Sequence, residues 1–131
     1  MSYTVNEHEF QNVISLSAFD RYQYFLNKVA DWEEVWSVRS ADGFRMMSDP
    51  QGVLCIPVWP AEPYAQACCQ EEWADASPVA VSLEDWMAKW LPGIKNDNRK
   101  IALFPLPQDQ GMVLDSDQLR QDLQELLDEF E

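Results

Sequence analysis

VLCIPVWPAEPYAQACCQEEW, from Val53 to Trp73, joins a short apolar run to a proline-flanked corner and an alanine-rich segment. Residues 53–58 are almost continuously hydrophobic and partly β-branched, a pattern typical of a strand buried on both faces. Pro57 cannot donate a hydrogen bond to a neighbouring strand. We therefore predict a central strand whose pairing stops on one side near Ile56.

A helix is predicted directly after this strand. Pro60 and Pro63 fix a backbone angle that suits the first helical turn, where no amide hydrogen is needed. We expect the helix to continue to about Trp73. Its small residues allow close packing on a sheet: Ala65, Ala67, Cys68 and Cys69.

The preceding segment predicts a helix and a hairpin. Ser17 and Asp20 form an S-x-x-D capping pattern, followed by apolar residues at helical spacing as far as Trp32. Val35–Arg39 and Phe44–Met47 flank an Asp-Gly turn, which supplies the backbone angle that a tight hairpin requires. With the central strand, these two strands are expected to form an antiparallel meander.

The C-terminal half repeats the same types of signal. A second S-x-x-D pattern at Ser82 begins a helix that Pro92-Gly93 is expected to end, and two short apolar runs flank a Gly-containing turn. The predicted elements are, in order, the strand Val79–Val81, the helix from Ser82, the strands Ile101–Phe104 and Met112–Leu114, and a helix from Ser116.

The chain length of 131 residues fits one domain, residues 1–131, in which residues 1–16 are predicted to be an irregular lead-in. The element order is α-β-β-β-α-β-α-β-β-α. It predicts an α+β fold with a mainly antiparallel sheet and helices packed chiefly on one face.

The charge is strongly negative. The chain carries 23 acidic and 9 basic residues, for a formal net charge of -14, which disfavours nucleic acid and anionic membranes as partners. The segment KNDNRK, from Lys95 to Lys100, is the only local positive excess. With no signal-peptide pattern and no apolar run of about 20 residues, the sequence predicts a soluble cytoplasmic protein.

The usual catalytic and metal-binding patterns are missing from the sequence. The sole histidine, His8, lies in the predicted lead-in, and no glycine-rich phosphate loop or C-x-x-C pair occurs. The three cysteines, Cys55, Cys68 and Cys69, are expected to be thiols that pack as small hydrophobic residues. We therefore expect no cofactor, no metal and no catalytic residue, and the sequence favours a non-enzymatic protein.

Large aromatic rings and prolines are the one unusual feature. They could line an interaction rim at the end of the central strand, where strand ends often present binding sites. The residue types favour the alternative that the rings fill the core. The candidate rim consists of Trp59, Pro60, Tyr64, Trp86, Trp90 and Pro105.

Several separated motifs resemble a bacterial family of unknown activity, the domain of unknown function 2750. The resemblance covers Ser17 to Leu127 and implies a small cytosolic single-domain protein, with no known activity, cofactor or site residue to carry over. The motifs are RYQYFLNKVADWEEVW from Arg21, PVWP from Pro57, AQAC from Ala65, VSLEDW from Val81, WLPG from Trp90, and Phe104-Pro105.

Three functional hypotheses follow. The first is a regulatory or immunity-like module whose acidic surface binds a basic protein partner. The second is a small-molecule-binding or hydrolytic domain with an aromatic cleft near Trp59, assisted by a carboxylate such as Glu62 or Glu71. The third is weak self-association through the apolar stripe of the last helix, although a monomer is also compatible with that stripe. The stripe consists of Leu119, Leu123, Leu126 and Phe130.

Overall fold

Helices account for much of residues 5–129, the part of the chain that the computed structural model describes. A 3-10 turn covers Glu71–Trp73, and a π-helical turn covers Trp86–Trp90. None of these helices is both long and apolar enough to cross a lipid bilayer. The α-helices are α1 (Glu7–Ile14), α2 (Ala18–Trp32), α3 (Glu62–Gln66), α4 (Leu83–Asp85), α5 (Leu91–Asn96) and α6 (Ser116–Glu129).

The strands form two sheets, and the whole is one small α+β domain, as predicted. The strands are β1 (Glu34–Ser40), β2 (Gly43–Phe44), β3 (Met47–Ser48), β4 (Leu54–Val58), β5 (Ser77–Ser82), β6 (Lys100–Leu103) and β7 (Met112–Leu114). The first sheet has the order β2-β1-β5 and is antiparallel. The second has the order β3-β4-β6-β7, in which β4 and β6 are parallel and the other pairs antiparallel.

The predicted three-stranded meander is wrong. The Asp-Gly hairpin forms, pairing Arg39 with Phe44, but the chain then leaves the first sheet and enters the second at Met47. The predicted strand Phe44–Met47 is therefore split into β2 and β3. The central strand β4 pairs with Met47 of the predicted strand, through β3, and on its other side with the later strand β6.

Pro57 limits the pairing of β4 as predicted. On the β3 side, pairing extends only from Leu54 to Cys55, whereas the parallel ladder with β6 continues to Val58. The carbonyl of Pro57 remains an acceptor, and the buried Ser37 hydroxyl donates to it at 2.8 Å. Pro57 lacks an amide hydrogen, and it is tolerated here because strand β3 no longer pairs with β4 at this position.

A backbone pair of hydrogen bonds joins the two sheets. The amide of Trp36 in β1 donates to the carbonyl of Trp59, and the amide of Trp59 donates to the carbonyl of Trp36, both at 2.8 Å. The Trp59 indole is completely buried, and its Nε1 donates to the carbonyl of Pro105 at 2.8 Å. Trp59 therefore connects the first sheet, the second sheet and the loop after β6.

The predicted irregular lead-in contains a helix. Asn6 caps α1 by accepting a hydrogen bond from the Glu9 amide at 2.8 Å. The ring of Phe10 stacks on Tyr64 at 5.3 Å, and the Tyr24 hydroxyl donates to Glu9 at 2.5 Å. These tertiary contacts stabilise a helix whose local sequence signal is weak. Residues 1–4 lie outside the described part of the chain.

Two helix ends differ from the prediction. The helix expected to reach Trp73 ends at Gln66, because the chain turns at residues 67–69 and Glu71 adopts a left-handed backbone with φ of 53°. The helix expected to end at Pro92 continues to Asn96. The π-helical turn comes directly before this proline, so its missing amide hydrogen falls in the first turn of α5, where proline is tolerated.

Two leucines of the apolar stripe of α6 are fully buried within the chain, and Leu126 is half-buried. Leu119 and Leu123 have no exposed side-chain surface, and α6 packs mainly against α2 and α5 rather than on a sheet. The Tyr22 hydroxyl on α2 donates to Asp122 on α6. Phe130, the last residue of the predicted stripe, lies outside the described residues.

Trp59 and Trp86 offer a matched test of the hydrogen bond that connects Trp59 to the loop. Both side chains are fully buried, but within residues 5–129 the Trp86 indole nitrogen has no hydrogen-bond partner. Replacing either indole by phenylalanine removes similar volume, while only Trp59→Phe leaves a buried carbonyl short of a strong donor. We expect Trp59→Phe to lower the free energy of unfolding by about 1–3 kcal/mol more than Trp86→Phe. Urea denaturation of both variants measures the difference, and equal losses would contradict this role for Trp59.

Glu9 should make stability depend on pH. The hydrogen bond from the Tyr24 hydroxyl holds the pKa of Glu9 below its ordinary value of 4.5, and Lys28 lies 3.3 Å away. A carboxylate whose pKa is lower in the folded chain stabilises the fold above its unfolded pKa, and this contribution disappears as pH falls through the folded pKa. We expect the free energy of unfolding to fall less steeply below about pH 5 in Glu9→Gln than in the natural chain.

The matched control for this pH measurement is Glu7→Gln. Glu7 lies on the same helix, and within residues 5–129 its carboxylate accepts one exposed hydrogen bond, from Gln11 at 2.9 Å. Urea denaturation at several pH values gives the free energy of unfolding as a function of pH. We expect this free energy to change with pH in Glu7→Gln as it does in the natural chain. A Glu9→Gln variant with that same pH dependence would show that the carboxylate does not hold α1 in place.

Candidate functional site

The predicted rim does not form one surface. Trp59, Tyr64 and Trp86 each have at most 1% of their surface exposed, and Pro60 is also buried. These residues lie in the core, because the helices and the loop after β6 cover the end of β4. Trp59 is fully buried and lines neither of the two grooves described below. Trp90 is half-buried and Pro105 is buried, and these two rim residues line two different grooves.

The larger groove, called here the acidic groove, has a volume of about 520 Å³. Two methionines, a tryptophan and a Pro-Leu-Pro segment supply its apolar surface, and two glutamates lie along one side. It is lined by Met46, Met47, Ser48, Cys68, Gln70, Glu71, Glu72, Trp73, Pro105, Leu106 and Pro107.

Buried Arg21 holds the Pro-Leu-Pro wall of this groove. Its guanidinium donates to the carbonyl of Leu16 at 2.8 Å, to the carbonyl of Phe104 at 3.2 Å and to the carboxylate of Asp109 at 3.0 Å. Only 1% of Arg21 is exposed. Arg21 is a buried cation that donates to two carbonyls and one carboxylate. Moving the loop would break these hydrogen bonds and leave buried polar groups unpaired, so the loop stays in one conformation.

The same loop is braced from within. The Gly111 amide donates to Asp109 at 2.9 Å and, with Arg21, lowers the pKa of the Asp109 carboxyl. Phe104 has a left-handed backbone with φ of 55°, an unfavourable conformation for a residue with a bulky side chain. Such a conformation persists only where surrounding contacts fix it. The Phe104 amide is bonded to Val58 at 2.9 Å, so the loop begins at a fixed point of the sheet.

The opposite wall is the 3-10 turn. Glu71 has a left-handed backbone, while Glu71 and Glu72 are exposed and Trp73 is half-buried. Below the turn, Arg45 donates to both carboxylate oxygens of Asp75 at 2.7 and 2.8 Å. The early end of α3 therefore brings two carboxylates and an indole to the groove. Sequence reasoning placed these three residues within a helix.

The smaller groove, called here the basic groove, has a volume of about 330 Å³. Its walls come from the π-helical turn, from α5 and from the segment after β2. Met46 lines both grooves. The basic groove is lined by Phe44, Met46, Ile56, Lys89, Trp90, Gly93, Ile94, Asp97 and Arg99.

The thiols are poor nucleophiles in this environment. Burial raises the pKa of Cys68 to about 12, and it also raises the pKa values of Cys55 and Cys69. The Cys68 thiol lies 3.5 Å from the carbonyl of Pro105, to which it donates. His8 is exposed on α1. Within residues 5–129, no three His, Cys, Asp or Glu side chains are grouped so that they could hold a metal ion.

A family model described as "Protein of unknown function (DUF2750)" matches residues 22–123. The chain belongs to the DUF2750 family. No curated protein and no solved structure matched the chain. The matched residues include every described lining residue of both grooves, so the grooves lie within the family domain.

Cysteine reactivity tests whether the acidic groove holds a nucleophile. At pH 8 a thiol of pKa about 12 is ionised to about one part in 10⁴, whereas an ordinary thiol of pKa about 8.5 is ionised to about a quarter. We expect Cys68 in the folded protein to resist iodoacetamide at pH 8. Mass spectrometry of the labelled peptides measures each site, and urea-unfolded protein, in which all three thiols should react, is the control. Rapid labelling of Cys68 in the folded protein would overturn this assignment.

Proposed function

We propose that this protein is a binding module that recognises a basic peptide segment of another protein through the acidic groove. The observation that supports the proposal is that the groove combines apolar surface with charged side chains that are all negative. Glu71 and Glu72 lie beside Trp73, and no lysine or arginine is among the described residues that line this groove.

The apolar part of the groove suits a peptide side chain. Met46 and Met47 have flexible, polarisable side chains, which adapt to ligands of different shape. Half-buried Trp73 resembles the aromatic residues that contribute most of the binding free energy in many interfaces. A large apolar side chain of the partner would fill the space between Trp73 and Leu106.

The charges favour a basic partner. Glu71 and Glu72 are exposed at the edge of the groove, where lysine or arginine residues of a peptide could pair with them. The net charge of -14 would increase the association rate of a basic partner at low salt. The ion pairs at the groove and the increase in association rate both weaken as ionic strength rises, because salt screens exposed charges.

The rigid walls reduce the entropic cost of binding. Arg21 fixes the loop on one side, and the Arg45 to Asp75 ion pair supports the turn on the other. A groove that is already formed loses less conformational freedom when the peptide binds, so more of the contact energy contributes to affinity.

A peptide-display library tests this proposal, because it offers the groove many different peptide sequences at once. We expect the natural chain to enrich peptides that place lysine or arginine next to a large apolar residue. Trp73→Ala should weaken the binding of an enriched peptide by about tenfold or more. Neutralising both acids, Glu71→Gln with Glu72→Gln, should weaken binding at low salt and reduce its dependence on salt. Isothermal titration calorimetry with the synthetic peptide measures both effects.

The matched control neutralises two exposed acids outside the groove, Glu84→Gln with Glu125→Gln, so that the net charge changes equally. This control should retain the affinity of the natural chain at physiological salt. If the control loses as much affinity as the groove variant, the binding depends only on net charge. If enriched peptides bind Trp73→Ala as well as the natural chain, the acidic groove is not the site.

A further inference from the structure

The basic groove has a charge opposite to that of the chain as a whole. The protein has only 9 lysine and arginine residues, yet Lys89 and Arg99 both line this groove. Arg39 adds a third cation nearby, with its guanidinium carbon 5.6 Å from the ring centroid of Phe44, which also lines the groove. Asp97 is the one acid among the described lining residues.

The cations differ in how far they are already neutralised. Lys89 forms an ion pair with Asp85 at 3.5 Å, and the side chains of both residues are well exposed. Arg99 is half-buried, and none of the described residues forms an ion pair with it. A half-buried guanidinium without an anionic partner attracts an anion more strongly than a fully solvated cation does.

The interior of the basic groove is apolar and aromatic. The rings of Phe44 and Trp90 meet edge to face with centroids 4.8 Å apart, and Trp90 also stacks on the buried Trp86 at 5.9 Å. Trp90 ends the π-helical turn. Such turns are rare and occur frequently at functional sites, because they redirect side chains away from the regular helical pattern.

We propose that the basic groove binds a small organic anion, one with a flat apolar body of one or two rings and a carboxylate or sulfonate group. The rings of Phe44 and Trp90 would contact the apolar body, and Arg99 would bind the anionic group. The volume of about 330 Å³ lies at the lower end of the range for small-molecule sites, which suits a ligand of this size.

This site shares Met46 with the proposed peptide site but differs from it in charge. A basic peptide would be repelled by Lys89 and Arg99, while an organic anion would be repelled by Glu71 and Glu72 of the acidic groove. The inference therefore goes beyond the proposed function, and either one can fail without the other.

Gly93 provides a variant that blocks the groove without disturbing the fold. It lies in α5 and lines the groove, and a Cβ added at this position meets no atom within 4 Å. A leucine here would occupy the open space. Replacing glycine within a helix also favours the helical conformation, so Gly93→Leu should melt at the same temperature as the natural chain or higher.

The experiment uses 2-naphthoate as the probe, with the cation 2-naphthylmethylammonium and the neutral 2-naphthalenemethanol as matched comparators. Titration into ¹⁵N-labelled protein should shift the Gly93 amide and Trp90 indole resonances, with a Kd for naphthoate of about 1 mM or below. We expect the neutral compound to bind more weakly and the ammonium compound more weakly still. Gly93→Leu should weaken naphthoate binding by about tenfold or more, and Arg99→Gln by about fivefold.

Lys95→Gln is the matched charge control. Lys95 belongs to the same positive segment, pairs with Asp117 at 3.0 Å and does not line the groove, so its loss should change the affinity by less than about twofold. Equal binding of the three naphthalene compounds would overturn the proposal. So would a folded Gly93→Leu variant with unchanged affinity, or a Lys95→Gln variant as impaired as Arg99→Gln.

Discussion

The backbone pair between Trp36 and Trp59 is the constraint on which the arrangement of the domain depends. This pair makes the two sheets neighbours, because Trp36 lies in the first sheet and Trp59 directly follows the central strand of the second. The buried indole of Trp59 then reaches the carbonyl of Pro105 and so sets where the loop after β6 begins. Because that loop forms one wall of the acidic groove, the position of the groove follows from the packing of the core.

Local chemistry explains why much of the fold was predictable. Ser17 and Ser82 cap their helices, and the Asp-Gly turn closes its hairpin, because these residues act on their immediate neighbours. The parallel pairing of β4 with β6 was not predicted, since it depends on residues more than forty positions apart. The helix α1 was also missed, because its stability comes from contacts of Glu9 and Phe10 with distant rings. The sequence alone does not reveal such contacts.

The candidate site was harder to predict than the fold, and the tryptophans show why. A large ring beside a proline suits both a core and a binding surface, and the structure places Trp59 and Trp86 inside but leaves Trp90 half-buried. The acidic groove depends on a turn at Glu71, which interrupts a helical pattern. No residue pattern near Glu71 predicts this turn. The positive segment 95–100 was visible in the sequence, but the apolar surface beside Arg99 becomes apparent only once α5 packs near Phe44 and Met46.

The π-helical turn has a consequence for how this domain can vary in evolution. A π turn accommodates one more residue than an α turn over almost the same rise, so it behaves as a single-residue insertion stored inside a continuous helix. A relative that lacks one residue between Trp86 and Trp90 could keep both ends of the helix in place. The indole that corresponds to Trp90 would then face another direction. Changes in length at this turn would then alter which side chains form one wall of the basic groove.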